Sequence, residues 1–145
     1  MAILEVKATT GLAVPPEVIK FARELSDRMG IRVRSLTFVP GTIAFPVDGF
    51  TLAHGMTDVS TGDVVVGYTD PEQAKRTILH EFCHLLAGEA EHGPRWEQCW
   101  ERYKSIAMEP SSRQWGSILF YAALTIVAAG MLYGSVRTLA RLLQE

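Results

Sequence analysis

The residues best suited to chemistry in this chain are two histidines and a glutamate in the pattern H-E-x-x-H, at His80, Glu81 and His84. On an α-helix, side chains four positions apart lie on the same face, one turn from each other. Two imidazoles in that arrangement can bind one Zn²⁺ ion at about 2.0–2.1 Å each. Glu81 directly follows the first histidine, so its carboxylate can accept a proton from an attacking water. The pattern therefore predicts a zinc site with a general base beside it.

The flanking sequence predicts that this pattern lies on a helix. Asp70-Pro71 supplies an N-cap followed by proline at the first helical position, and Gly88 is typical of a helix C-terminus. Between these ends, apolar residues occupy the face opposite to the histidines: Ile78, Phe82, Leu85 and Leu86.

A catalytic zinc site usually has three protein ligands and one open position, so a third ligand is needed. His92 is the first candidate, because the short polar turn after the first helix can bring it back toward the metal. A second helix is predicted to begin at Gly93-Pro94. Glu97 and Glu101 on that helix are alternative third ligands, because glutamate completes some zinc sites of this type.

Together these residues resemble the SprT-like zinc metalloproteases. That family has H-E-x-x-H on a helix, then a third zinc histidine followed by glycine and an aromatic residue, as in His92-Gly93 and Trp96. The similarity extends from residue 50 to residue 105. It implies that His80, His84 and His92 bind Zn²⁺ and that Glu81 is the general base of peptide-bond hydrolysis.

The sequence departs from two related patterns. A metzincin would place its third histidine at position 90, where this chain has Ala90. Some SprT-like proteins carry a Cys-rich zinc ribbon and act on DNA-bound proteins, but this sequence has only two cysteines. Residues 1 to 113 carry 12 Lys and Arg against 15 Asp and Glu, a net charge of −3, which argues against a nucleic-acid partner.

The two cysteines, Cys83 and Cys99, are too few for a disulfide framework. Cys83 lies inside the H-E-x-x-H pattern, but its position points away from the histidine pair. We expect both to be small, buried, apolar side chains in a reduced compartment.

The order of predicted elements is that of an α+β, zincin-like domain: a helix, a short mixed sheet, the H-E-x-x-H helix and a second helix. The first helix is expected to open at Pro15-Pro16 and end at Gly30. A short strand is expected at the N-terminus, and further strands at residues 31–39, 42–45, 50–53 and 63–68.

Substrate contacts are predicted from the same resemblance. In zincins an edge strand beside the cleft pairs with the extended substrate, and the corresponding segment would be Val64, Val65, Val66, Gly67 and Tyr68. His54, Tyr68 and Tyr103 are candidates for stabilising the developing oxyanion.

Residues 114–136 contain no charged side chain and are long enough to cross a bilayer, which takes about 20 apolar residues. The sequence thus predicts a zincin domain at 1–110, a linker at 111–113, a single transmembrane helix at 114–136 and a short tail at 137–145. Gly130 and Gly134 form a G-x-x-x-G pattern that favours self-association or a membrane-protein partner. The expected localisation is a single-pass membrane protein whose N-terminal domain is cytoplasmic.

The function predicted from these features is that of a membrane-anchored zinc metallopeptidase acting on protein or peptide substrates near the bilayer. The alternative is a non-catalytic accessory subunit of a membrane complex that retains a zincin fold. The two differ in whether Glu81 is needed for a chemical step.

Overall fold

A four-stranded mixed sheet carries the helices of this domain. The computed structural model describes residues 3–46 and 50–108. In chain order the elements are β1 (Ile3–Ala8), α1 (Pro16–Met29), β2 (Val33–Pro40), β3 (Ile43–Pro46), β4 (Phe50–Ala53), β5 (Gly55–Asp58), β6 (Asp63–Tyr68), α2 (Pro71–Ala87) and α3 (Pro94–Met108).

The order of strands across the sheet is β1-β2-β6-β5, and β3 pairs with β4 in a separate antiparallel hairpin. β1, β2 and β6 run parallel, with Leu36 opposite Val64 in the register of β2 and β6. β5 runs antiparallel to β6, with Thr57 opposite Val64. The four-residue strand β5, which the sequence analysis did not predict, is therefore an edge of the described sheet.

This order corrects the placement of the expected substrate-binding strand. Val64, Val65, Val66, Gly67 and Tyr68 belong to β6, which is paired on one side with β2 and on the other with β5. A strand bonded to neighbours on both sides has no free backbone groups for a substrate. The free edge next to β6 belongs to β5 instead.

The core forms between one face of the sheet and the helices. Alternate residues of β2 and β6 are fully buried, and these are Leu36, Phe38, Val64 and Val66. α2 packs on β5 and β6, α1 packs on α2 and β1, and α3 packs on α2. α2 is thus the central helix, and it contributes Ala74, Ile78, Leu79 and Phe82 to the buried cluster.

Both ends of α2 are capped as the sequence predicts. The Asp70 carboxylate accepts hydrogen bonds from the backbone N–H groups of Glu72 and Gln73, at 3.0 and 2.9 Å. At the other end Gly88 adopts a left-handed conformation with φ of 70°, which a side chain would disfavour, and its N–H donates to the carbonyl of His84. The helix that carries the H-E-x-x-H pattern is therefore defined by local interactions.

A small α+β domain with a mixed sheet and three helices confirms that part of the predicted fold. The membrane part is corrected. Among residues 3–46 and 50–108, no helix is long and apolar enough to cross a bilayer: α1, α2 and α3 have 14, 17 and 15 residues, and each carries charged side chains.

The predictions of a transmembrane helix and of a single-pass membrane localisation are therefore contradicted. The segment 114–136, with Gly130 and Gly134, lies outside the described residues, as do the linker 111–113 and the tail 137–145.

The structure also corrects the expectation for the cysteines. Cys83 and Cys99 form a disulfide between α2 and α3, with their Cα atoms 5.5 Å apart. The sequence analysis treated them as separate buried thiols, because nothing local indicates that they face each other. The packing of α3 on α2 brings them together, and the disulfide joins the helix of the H-E-x-x-H pattern covalently to α3.

We expect the Asp70 cap to stabilise α2 measurably. Replacing Asp70 with alanine removes the acceptor for two backbone N–H groups and should lower the free energy of unfolding by about 1 kcal/mol. Urea denaturation monitored by circular dichroism measures this. Asp70→Asn is the matched control, because asparagine also caps helices and should leave stability near that of the wild type. Equal losses in both variants would contradict the capping role.

Candidate metal centre

Three imidazole rings converge at the C-terminal half of α2. His80 and His84 lie one turn apart on that helix, and His92 lies in the turn before α3. Their ligand nitrogens all lie within 4.8 Å of one another. The structure thus brings together the three histidines that the sequence analysis selected as ligands.

Two of the three spacings between the nitrogens match those expected around a tetrahedral metal ion. Nε2 of His80 lies 3.4 Å from Nε2 of His84 and 3.1 Å from Nε2 of His92. Two nitrogens bound to one zinc at 2.0–2.1 Å in tetrahedral geometry would be separated by about 3.3 Å. A set of three neutral imidazoles is also a donor set that zinc favours.

His84 is oriented by the turn that follows the helix. Its Nδ1 lies 2.9 Å from the backbone carbonyl oxygen of Glu89. A carbonyl can only accept, so this contact assigns the proton to Nδ1 and leaves the Nε2 lone pair directed at the other histidines. The left-handed Gly88 reverses the chain and so places the Glu89 carbonyl there.

His92 is held by the aromatic start of α3. The indole ring of Trp96 lies 4.2 Å from the His92 ring between centroids, and its Nε1 donates to the backbone carbonyl of His80 at 3.2 Å. Within the turn, the Gly93 N–H donates to the backbone carbonyl of Glu91 at 3.0 Å. Trp96 therefore connects the third histidine to the helix of the other two.

Burial favours the neutral form of His80 and His84, which is the form that binds a metal, because it lowers the pKa of both imidazoles. Burial, together with the smaller effects of the neighbouring His84 and His92, lowers the pKa of His80 to about 4. Burial also lowers the pKa of His84, although its contact with the Glu89 carbonyl opposes this. Little proton competition for the metal is therefore expected at neutral pH.

Glu81 lies beside this cluster, and its side chain is only 5% exposed. Burial raises the pKa of Glu81 to about 7, and a hydrogen bond from Thr57 opposes the rise. The Thr57 hydroxyl lies 2.6 Å from Oε2 of Glu81 and 3.2 Å from its backbone carbonyl oxygen. A carboxyl group that exchanges its proton near neutral pH is suited to general acid–base catalysis.

The edge strand β5 approaches Glu81 so closely that only glycine fits at one position. A Cβ on Gly55 would lie 2.5 Å from Oε1 of Glu81 and 2.7 Å from Cγ2 of Thr77. Gly55 and Thr57 therefore form the wall of the site opposite α2. Sequence reasoning missed both residues, because β5 is too short to show a period of its own.

A cavity of about 260 Å³ opens beside His80 and Glu81. Its other walls are Ala53, His54, Gly55, Arg76, Thr77 and Trp100. His54 thus lines the same cavity as Glu81. Its role in stabilising an oxyanion stays a prediction.

The other candidates for that role do not line this cavity. Tyr68 lies near the charges of Asp70 and Glu17, which together with burial raise its pKa. Tyr103 lies on α3 below the Arg102 guanidinium and lines a separate depression with Leu86.

The glutamates considered as third ligands also lie elsewhere. Glu97 is exposed at the start of α3, and Glu101 forms an ion pair with Lys104 on the same helix. Among the described residues, the cluster that could hold a metal consists of the three histidines alone.

Comparison with known proteins adds little to this geometry. No protein-family model and no curated protein matches the chain. A crystal structure of a Wss1 mutant from Saccharomyces cerevisiae aligns with 73% of this chain and 90% of its own chain, at 13% identity and a TM-score of 0.48. A likeness of that degree assigns neither fold nor activity, so the functional interpretation depends on the site.

We expect His92 to bind zinc directly, so that its loss weakens zinc affinity more than the loss of an outer-shell partner would. Loss of an outer-shell partner alone typically weakens metal binding 10–100-fold, so His92→Ala should weaken it by about 100-fold or more. Competition with a chromogenic chelator measures the dissociation constant of zinc without any activity assay.

The control variants are Glu97→Ala and Glu101→Ala, which should bind zinc as the wild type does. A large loss in either glutamate variant, with retention in His92→Ala, would replace the three-histidine site by one with a glutamate ligand.

Proposed function

We propose that this protein is a zinc-dependent metallopeptidase that hydrolyses peptide bonds with Glu81 as general base. The observation that carries the proposal is that the buried Glu81 lines the same cavity as His80, whose imidazole converges with those of His84 and His92. A structural zinc site has its coordination closed by protein, whereas an ion held by these three histidines would keep a fourth position for water or substrate.

His80, His84 and His92 would hold the ion. A bound zinc would polarise the scissile carbonyl and make water nucleophilic at neutral pH. Glu81 would take the proton of the attacking water and transfer it to the leaving amine. Its burial supports this role, because a carboxylate shielded from solvent is a stronger base than an exposed one.

Substrate binding at β5 is the second part of the proposal. The Gly67 N–H of β6 donates to the carbonyl of His54, the residue before β5, at 2.7 Å, so these two residues form a hydrogen-bonded pair at the start of the β5–β6 ladder. In an antiparallel ladder such pairs alternate, so Gly55 and Thr57 direct their backbone N–H and C=O groups away from β6. An extended peptide could pair there, directly beside Glu81.

Replacing Glu81 with glutamine tests the chemical role. The amide keeps the size of the side chain but cannot act as a base, so peptide hydrolysis should fall by about 10²–10⁴-fold or more while zinc stays bound. Cleavage of a quenched fluorescent peptide library and metal analysis measure the two effects.

His84→Ala is the matched control and should lose both metal and activity. A wild-type protein that cleaves no peptide, with a Glu81→Gln variant that matches it in cells, would favour the non-catalytic accessory subunit instead.

Thr57 is a positioning residue in this mechanism. Thr57→Val keeps the shape of the side chain but removes the hydroxyl group bonded to Glu81, so kcat should fall about tenfold or more with KM nearly unchanged. Zinc affinity should not change, because Thr57 contacts no histidine of the cluster. Steady-state kinetics with the same peptides measure this split.

Thr57→Ser restores the hydroxyl and should recover most of the rate. A purely structural role for Thr57 predicts the reverse pattern, in which the valine variant has normal kcat and only its stability changes.

A further inference from the structure

The cavity beside Glu81 has the dimensions of a side-chain pocket. Its volume of about 260 Å³ is below the 300–1,000 Å³ typical of small-molecule sites. It is continuous with the proposed catalytic centre, because His80 and Glu81 form part of its wall. Any side chain that enters it must therefore belong to a residue close to the scissile bond.

One wall of the cavity is apolar and rigid. Trp100 stacks on Trp96, with ring centroids 5.6 Å apart and planes inclined by 9°. Ala53 and Gly55 lie on the strand side of the same space. A flat indole held by stacking favours contact with methylene groups or rings, so the middle of the cavity suits an apolar stem.

The rim of the cavity carries a cation. Arg76 lies one turn before His80 on the same face of α2, and its side chain is exposed. In the part of the chain that the structure describes, no salt bridge involves Arg76. Arg76 is close enough to Asp70 for its charge to act on that carboxylate. The Asp70 carboxylate, however, already accepts hydrogen bonds from the two backbone N–H groups of the helix cap.

The acidic group of the cavity lies away from this cation. Glu81 follows Arg76 by five residues, which is about 7.5 Å along the helix axis. Its carboxylate is held on the strand side by Thr57. A negative group bound at Arg76 would therefore avoid the catalytic carboxylate while its stem lies against Trp100.

We propose that this cavity is a specificity pocket for a substrate side chain with an apolar stem and a terminal carboxylate, glutamate above all, and that Arg76 binds the carboxylate. The guanidinium group matches a carboxylate in geometry and keeps its charge at all physiological pH values. This inference rests on the proposed peptidase function and names the substrate class for it.

The test uses the zinc-loaded full chain and three peptides that differ at one position beside the scissile bond: Glu, Gln or Lys. The wild type should cleave the Glu peptide with a kcat/KM about five- to tenfold above that of the Gln peptide. In Arg76→Gln this ratio should fall to about one, and Arg76→Glu should favour the Lys peptide. Arg28→Gln, an equal charge change on α1 outside the pocket, should keep the wild-type ratio.

Binding of the same peptides to the Glu81→Gln variant, with and without Arg76→Gln, separates the inference from the proposed function. Cleavage without preference for Glu, or a preference that survives Arg76→Gln, overturns the pocket assignment and leaves the peptidase intact. Selective binding of the Glu peptide that depends on Arg76, with no cleavage by the wild type, supports the pocket and overturns the peptidase. If the protein shows neither cleavage nor selective binding of the Glu peptide, both the pocket assignment and the peptidase proposal are overturned.

Discussion

The hydrogen bond between Thr57 and Glu81 connects the edge of the sheet to the central helix, and the geometry of the site depends on it. A buried carboxylate is unfavourable unless a donor compensates for the lost water. Thr57 is that donor, and β5 can bring it within reach only because Gly55 has no side chain. The close contact of strand and helix therefore sets the position of the base. The burial that results raises the pKa of Glu81, and the Thr57 hydrogen bond opposes that rise.

The opposite side of the site depends on a second set of contacts, between α2 and α3. The disulfide of Cys83 with Cys99 and the Trp96 bond to the His80 carbonyl hold the two helices together. His92 lies in the turn between them, so its distance from the other two histidines follows from that packing. The same packing presents Trp100 to the cavity beside Glu81. Ligands, base and pocket are thus parts of one arrangement.

Two errors of the sequence analysis, those on β6 and on the cysteines, share a cause. β6 has the Val-rich pattern of a strand, but its pattern cannot show that β5 covers one side of it. The partners Cys83 and Cys99 are 16 residues apart, and helix periodicity indicates only that each is on an inner face. A run of apolar residues at 114–136 satisfies a rule for membrane helices, yet no helix among the described residues meets the requirements of one. For the strand and the cysteines, a rule about local pattern was applied to a question about neighbours.

The sequence by itself determined the helices, most of the strands and the histidine pair. Caps at Asp70 and Gly88 and the i, i+4 spacing act within a few residues, so helix α2 and its ligand face can be inferred without knowledge of the fold. Only the tertiary structure decided that β5 is the edge, that Thr57 meets Glu81, and that Arg76 shares a cavity with Trp100. The last two join residues 24 positions apart, and the first depends on strand order. Sequence patterns with periods of two or 3.6 residues carry no information about contacts between distant residues or about the order of strands in a sheet.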